Sequence, residues 1–137
     1  MKIGKRSIQN FTTPYVVAEL GANHNGDMKI AKRLIAAAKK AGCDCVKFQS
    51  WTKESLFTKR IYEANPLTDD RSAKNAPTLE QLIEKYSISE YELRAMSAYC
   101  KKIGIDFACS PFSRREAGCL QKRGGDLQKI GARLYSS

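Results

Sequence analysis

The sequence contains no apolar run near the ~20 residues that a membrane-spanning helix needs. Its start, Met1-Lys2-Ile3-Gly4-Lys5-Arg6, is basic, but no apolar stretch follows it as in a secretory signal. The expected location is therefore the cytoplasm. Histidine occurs once, as His24, and the five cysteines form no C-x-x-C pair, so a structural zinc site lacks its usual ligand spacing. The cysteines are expected to be reduced, partly buried thiols. No zinc finger, RNP sequence or other nucleic-acid motif appears. Acidic residues are also few: 14 against 24 Lys and Arg, for a net charge of +10. The basic residues are scattered along the chain, which suits a solvated basic surface around an anionic-substrate site. A non-catalytic module that binds nucleic acid or acidic polysaccharide is the alternative.

What remains is ordinary for a globular domain: 137 residues, 42% hydrophobic and 28% charged. Tyr15 to Leu20 has the pattern of a strand, followed by a polar turn from Gly21 to Gly26. Asp27 can cap a helix from Met28 to Ala41, with Ile30, Leu34, Ala37, Ala38 and Ala41 as its apolar stripe and Gly42 as its stop. Cys45 to Gln49 is a second strand. Ser50 to Pro77 is a long loop-rich stretch, which favours an active-site loop or a mobile segment. A short helix is expected from Leu79 to Tyr86. Ser89 and Glu92 form a capping box for a longer one, with Leu93, Met96, Cys100 and Ile103 facing the core and Gly104 as its stop. Ile105 to Ser110 is a third strand, closed by Pro111. Arg114 to Arg123 is a weaker helix, and Leu127 to Ala132 a possible fourth strand. Strands separated by helices imply a right-handed parallel α/β arrangement. It is either an open four-stranded sheet or a piece of a barrel.

The first two strands each run into charge. Val16-Val17-Ala18 leads to Glu19, and Cys45-Val46 leads to Lys47. Charges in such strands are costly unless they pair or point into a polar site, and parallel α/β folds build their sites at the carboxyl ends of strands. An ion pair between Glu19 and Lys47 with no reaction attached is the structural alternative. Asn23-His24-Asn25-Gly26 places hydrogen-bonding groups before a helix N-terminus, which suits an anion or a hydroxyl ligand; turn formation is the plainer use. Lys47 and Gln49 alternate with Phe48, so they share one side of the strand. Ser110-Pro111-Phe112 ends the third strand with a hydroxyl that can bind an anion.

Three stretches, Ala18-Glu19-Leu20-Gly21-Ala22-Asn23-His24-Asn25-Gly26, Val46-Lys47-Phe48-Gln49 and Cys109-Ser110-Pro111-Phe112, together resemble the sialic acid synthase family, the N-acetylneuraminate synthases and their legionaminate and pseudaminate relatives. The resemblance covers roughly residues 15 to 132. It implies that residues 1–137 form the N-terminal portion of a (β/α)8 TIM-barrel synthase domain, about its first four β/α strands. The family makes a nine-carbon 2-keto acid and phosphate from phosphoenolpyruvate and N-acetylmannosamine or a related N-acetyl sugar, for cell-surface carbohydrates.

By position, the resemblance makes Lys47, Ser110 and Lys129 phosphoenolpyruvate contacts and Gln49 a sugar contact. Glu19 becomes a catalytic or substrate-orienting carboxylate, with Lys47 beside it in the reacting site. Asn23 and His24 belong to the substrate-binding group. The family also uses a divalent metal, Mn2+ or Mg2+, and commonly pairs as a homodimer through a C-terminal antifreeze-like domain. The metal-binding histidines and that domain are expected outside these 137 residues, which would leave this chain inactive alone. Gly118 to Ser137 departs from the family pattern, with Ala132 where a Ser is usual. Another phosphoenolpyruvate-using aldol synthase is a neighbouring possibility, against which Asn23-His24-Asn25-Gly26 argues.

Overall fold

Three short strands, β3 (Val17–Gly21), β4 (Cys45–Ser50) and β5 (Asp106–Pro111), lie side by side in a parallel sheet of order β3-β4-β5. They are part of a computed structural model that describes residues 2–3, 6–64 and 77–121. The connections between the strands run through α1 (Met28–Lys40) and α5 (Glu90–Ile103). Ahead of the sheet, β1 (Lys2–Ile3) and β2 (Arg6–Ser7) form a small antiparallel pair that the sequence pattern did not announce. The α/β class and parallel sheet follow expectation. The anticipated fourth strand, Leu127 to Ala132, lies outside the described residues. No helix of the described residues is long and apolar enough to cross a membrane.

Alternation along the strands decides which face is buried. Leu20, Val46, Phe48, Phe107 and Cys109 form one core with Ala31, Ile35 and Ala38 of α1 and Leu93, Met96 and Cys100 of α5. The stripe of α1 therefore differs from expectation. Ala31 and Ile35 are buried, whereas Ala37 and Ala41 are exposed. Alanine fits both positions sterically, so spacing alone could not orient the helix; Ile35, fully buried, sets the rotation. Phe48 and Phe107 stack with centroids 5.6 Å apart, joining β4 and β5 inside this layer.

The helix ends are written locally. Asp27 Oδ1 accepts from the Lys29 N–H at 2.6 Å, and Ser89 and Glu92 form a reciprocal capping box on α5. After α1, the Cys43 N–H donates to Ala38 O and the Gly42 N–H to Lys39 O, the paired closure of a Schellman turn. β3 begins two residues later than Tyr15 and runs through Gly21. Tyr15 is used differently: its hydroxyl donates to Asp106 Oδ2 at 2.5 Å. β5 includes Pro111, which had been expected to end it. The Asp106 and Phe112 N–H groups both donate to the β4 side, to Asp44 O and Ser50 O, so by alternation the Pro111 nitrogen faces away from β4 and no ladder bond is lost.

The stretch after β4 is not all loop. It holds α2 (Lys53–Leu56) and α3 (Lys59–Ala64) before α4 (Leu79–Tyr86). After β5 comes α6 (Arg114–Gln121).

Candidate functional site

The carboxyl ends of β3, β4 and β5 bring the sequence-derived residues together. Glu19 stands opposite Lys47 in the parallel register, and Gln49 stands opposite Ser110. Glu19 Oε2 and Lys47 Nζ are 2.7 Å apart, with 45% and 30% of their side chains exposed. The pair faces solvent rather than the core. At that exposure an ion pair adds only ~0–1 kcal/mol, so it does not account for both charges as a stabilising device.

The register slips between Glu19 and Gly21. There the backbone turns to φ +43° at Gly21, which an L side chain rarely adopts. Its N–H donates to Glu19 Oε1 at 3.0 Å and so fixes the second carboxylate oxygen. A Cβ at Gly21 would lie 3.5 Å from both Gln49 Nε2 and Glu19 Oε1. The bulge thus sets the Gln49 amide and the Glu19 carboxylate around one backbone position, with the Lys47 ammonium bound to the latter. Ser110 is partly exposed at the end of β5. The ensemble offers one cation, one carboxylate, one amide and one hydroxyl at the rim of the sheet.

Asn23 and His24 part company. Asn23 is exposed, whereas His24 is fully buried, its ring 6.2 Å from that of Phe48. His24 Nδ1 accepts from the Gly26 N–H at 2.9 Å, which fixes the neutral tautomer with its proton on Nε2. Nε2 is buried without a hydrogen-bond partner. Burial pushes the imidazole below its ordinary value, opposed by the nearby Glu92 carboxylate and the Gly21 backbone. His24 therefore holds the turn from inside. Lys129 lies outside the described residues.

Glu116 was not singled out from the sequence. Its carboxylate is buried, 8% exposed, and has no cation partner among the salt bridges of the described residues. It accepts instead from the Thr52 N–H at 3.1 Å, the Ser55 hydroxyl at 2.6 Å and the Phe112 N–H at 2.9 Å. A sequence signal existed. Ser113 and Glu116 have capping-box spacing, and Ser113 Oγ does accept from the Glu116 N–H. The glutamate then reaches across to the segment after β4, which no local pattern specifies.

The described cysteines are free. Burial pushes the thiols of Cys45 to about 11 and of Cys100 and Cys109 to about 12. At neutral pH these three are protonated and are not nucleophiles. Among the described residues no group of three or more His, Cys, Asp or Glu could hold a metal ion. With His24 Nδ1 already engaged, the donors described here do not fit a divalent metal.

Residues 34–135 match the model of the NeuB family, most of the chain's length. The chain belongs to the NeuB family. It is 32% identical over 118 residues to the N-acetylneuraminate-9-phosphate synthase of Drosophila melanogaster, covering 86% of this chain and 31% of the relative. It is 31% identical over 118 residues to the N,N'-diacetyllegionaminic acid synthase of Legionella pneumophila, covering 86% of this chain and 33% of the relative. The chain thus spans about one third of the length of these curated relatives. The crystal structure of an N-acetylneuraminic acid synthetase from Leptospira borgpetersenii superposes with a TM-score of 0.69 at 23% identity, over 89% of this chain and 37% of the other. A spore coat polysaccharide biosynthesis protein of Bacillus subtilis has a TM-score of 0.60, also at 23% identity. Those likenesses establish the fold, and the match over residues 34–135 establishes the family.

Proposed function

We propose that this NeuB-family chain carries the phosphoenolpyruvate-binding part of a sialic acid synthase-type site, on the first strands of a TIM barrel. The observation that carries this reading is the solvent-facing Glu19–Lys47 pair at 2.7 Å, at the carboxyl ends of parallel strands. Phosphoenolpyruvate bears a phosphate and a carboxylate. The Lys47 ammonium neutralises one of them as a point charge, and the Ser110 hydroxyl donates to the same ligand. The Gln49 amide orients the N-acetyl sugar, N-acetylmannosamine or a relative. In the reaction the enol carbon attacks the sugar aldehyde, water adds at the neighbouring carbon, and phosphate leaves. Glu19 Oε2, next to Lys47, holds or accepts a proton during these steps. Lys129 is a further contact for the same anion. The divalent metal of this chemistry has no ligand group among the described residues.

The test is calorimetric titration of the 137-residue chain with phosphoenolpyruvate. Binding is expected, and Lys47→Ala should weaken it about tenfold or more while moving the melting point little, since an exposed pair contributes little to stability. A wild-type chain that binds no phosphoenolpyruvate, or a Lys47→Ala variant that binds it equally well, would overturn the reading. Phosphate release with manganese and candidate sugars is expected to stay at background for this chain alone, because its relatives are about three times as long.

A further inference from the structure

The buried carboxylate of Glu116 joins two segments that leave the sheet at neighbouring strand ends. One is Thr52 to Ser55, directly after β4, the strand of Lys47 and Gln49. The other is the turn at Phe112, directly after β5 and Ser110. Oε1 takes the Thr52 N–H and the Ser55 hydroxyl, and Oε2 takes the Phe112 N–H. A buried carboxylate that accepts three hydrogen bonds resists displacement, because it would lose all three at once, although each donor keeps a second acceptor: Ser50 O for the Phe112 N–H, Ser55 Oγ for the Thr52 N–H and Thr52 O for the Ser55 hydroxyl. Trp51 belongs to the same junction. It is 6% exposed and meets Phe112 edge-on, with ring centroids 5.8 Å apart.

We propose that Glu116 is a positioning residue: it clamps the segment after β4 to the turn after β5 and so fixes Gln49 and Ser110 relative to each other at the ligand-binding rim. This role rests on the phosphoenolpyruvate reading above. Glu116 touches no ligand group itself. It acts through the two backbones, and the paired register of Gln49 with Ser110 and Ser50 with Pro111 ends where the clamp begins.

Trp51 is the chain's only tryptophan, so its fluorescence reports on this junction alone. Three measurements on wild type, Glu116→Gln and Glu116→Ala decide the matter: Trp51 emission with acrylamide quenching, thermal melting by circular dichroism, and titration with phosphoenolpyruvate. Glu116→Ala should red-shift and expose Trp51 at temperatures where the chain is still folded, and weaken phosphoenolpyruvate binding roughly tenfold. Glu116→Gln keeps the size and one acceptor oxygen, so it should fall between the two in both readouts. Ser55→Ala removes one donor and leaves the carboxylate in place; it supplies the comparison if Glu116→Ala does not fold, and should loosen Trp51 and weaken binding in the same direction. A change at Trp51 with unchanged affinity would overturn the positioning role and leave a purely structural clamp. Unchanged emission and affinity would overturn the clamp altogether. A wild-type chain that binds no phosphoenolpyruvate would instead overturn the pocket reading, and this role with it.

Discussion

At the scale of single residues, the chain separates groups that look alike on paper. His24 and Asn23 are sequence neighbours in one turn, yet one is sealed into the core and the other is exposed. The consequence for His24 is a dependence on pH. Its imidazole titrates below its ordinary 6.5 in the folded chain, chiefly because burial disfavours the charge, while the unfolded chain keeps the ordinary value. The unfolded state therefore binds more protons in this range, and stability falls as pH drops below 6.5. Geometry reinforces this. A proton on Nδ1 would face the Gly26 N–H, placing two donors where one donor and one acceptor now meet. The carboxylate nearest in effect, Glu92, is held below its ordinary 4.5 by its bonds to Ser89 and contributes only at lower pH. The melting temperature is thus expected to fall between pH 6.5 and 4.5, and His24→Asn should flatten that slope whatever its effect on absolute stability. A wild-type profile that is level over this interval would remove the argument.

Elements were legible where a local rule was complete. Asp27, Ser89 with Glu92, and the turns at Gly42 and Gly104 mark helix ends that the structure keeps, within a residue, because a cap needs only its own neighbours. The strand ends carrying Glu19 and Lys47 were legible because charge in an apolar run is locally anomalous; Gln49 followed from its alternation with Lys47, and Ser110 from its place in the Cys109-Ser110-Pro111-Phe112 stretch that resembles the family. The rotation of α1, the bond from Tyr15 to Asp106 and the reach of Glu116 were not, since each depends on a partner distant in sequence. Contact between elements also gives Gly26 its importance. The turn before α1 presses on the end of α4, where a Cβ at Gly26 would come 2.3 Å from the Lys85 carbonyl oxygen. The backbone there also sits at φ +76°. Gly26→Ala therefore adds overpacking against rigid backbone to left-handed strain, each costing ~1–3 kcal/mol. Chemical denaturation should show a loss at or above the upper end of that range. A loss below about 1 kcal/mol would mean the two segments are not held against each other.

For the molecule as a whole, two opposing forces govern association. Among the described residues the sheet has two outer strands, β3 and β5, each hydrogen-bonded on one side. Near β3 the apolar side chains of Val16 and Val17 are 45% and 37% exposed. An uncovered parallel edge beside exposed valines is a template for another chain. The net charge of +10 works against that encounter by repelling copies of the same chain. Repulsion between exposed charges is screened over ~10 Å at 0.1 M salt, whereas apolar contact and strand pairing are not. Raising the salt should therefore promote self-association rather than suppress it. Sedimentation equilibrium should show a weight-average mass above the 15.3 kDa of the chain, rising with protein concentration and more steeply at high salt. A mass that falls as salt is added would assign the contact to complementary charges. A monomer under all conditions would mean that these edges are already protected in the chain itself.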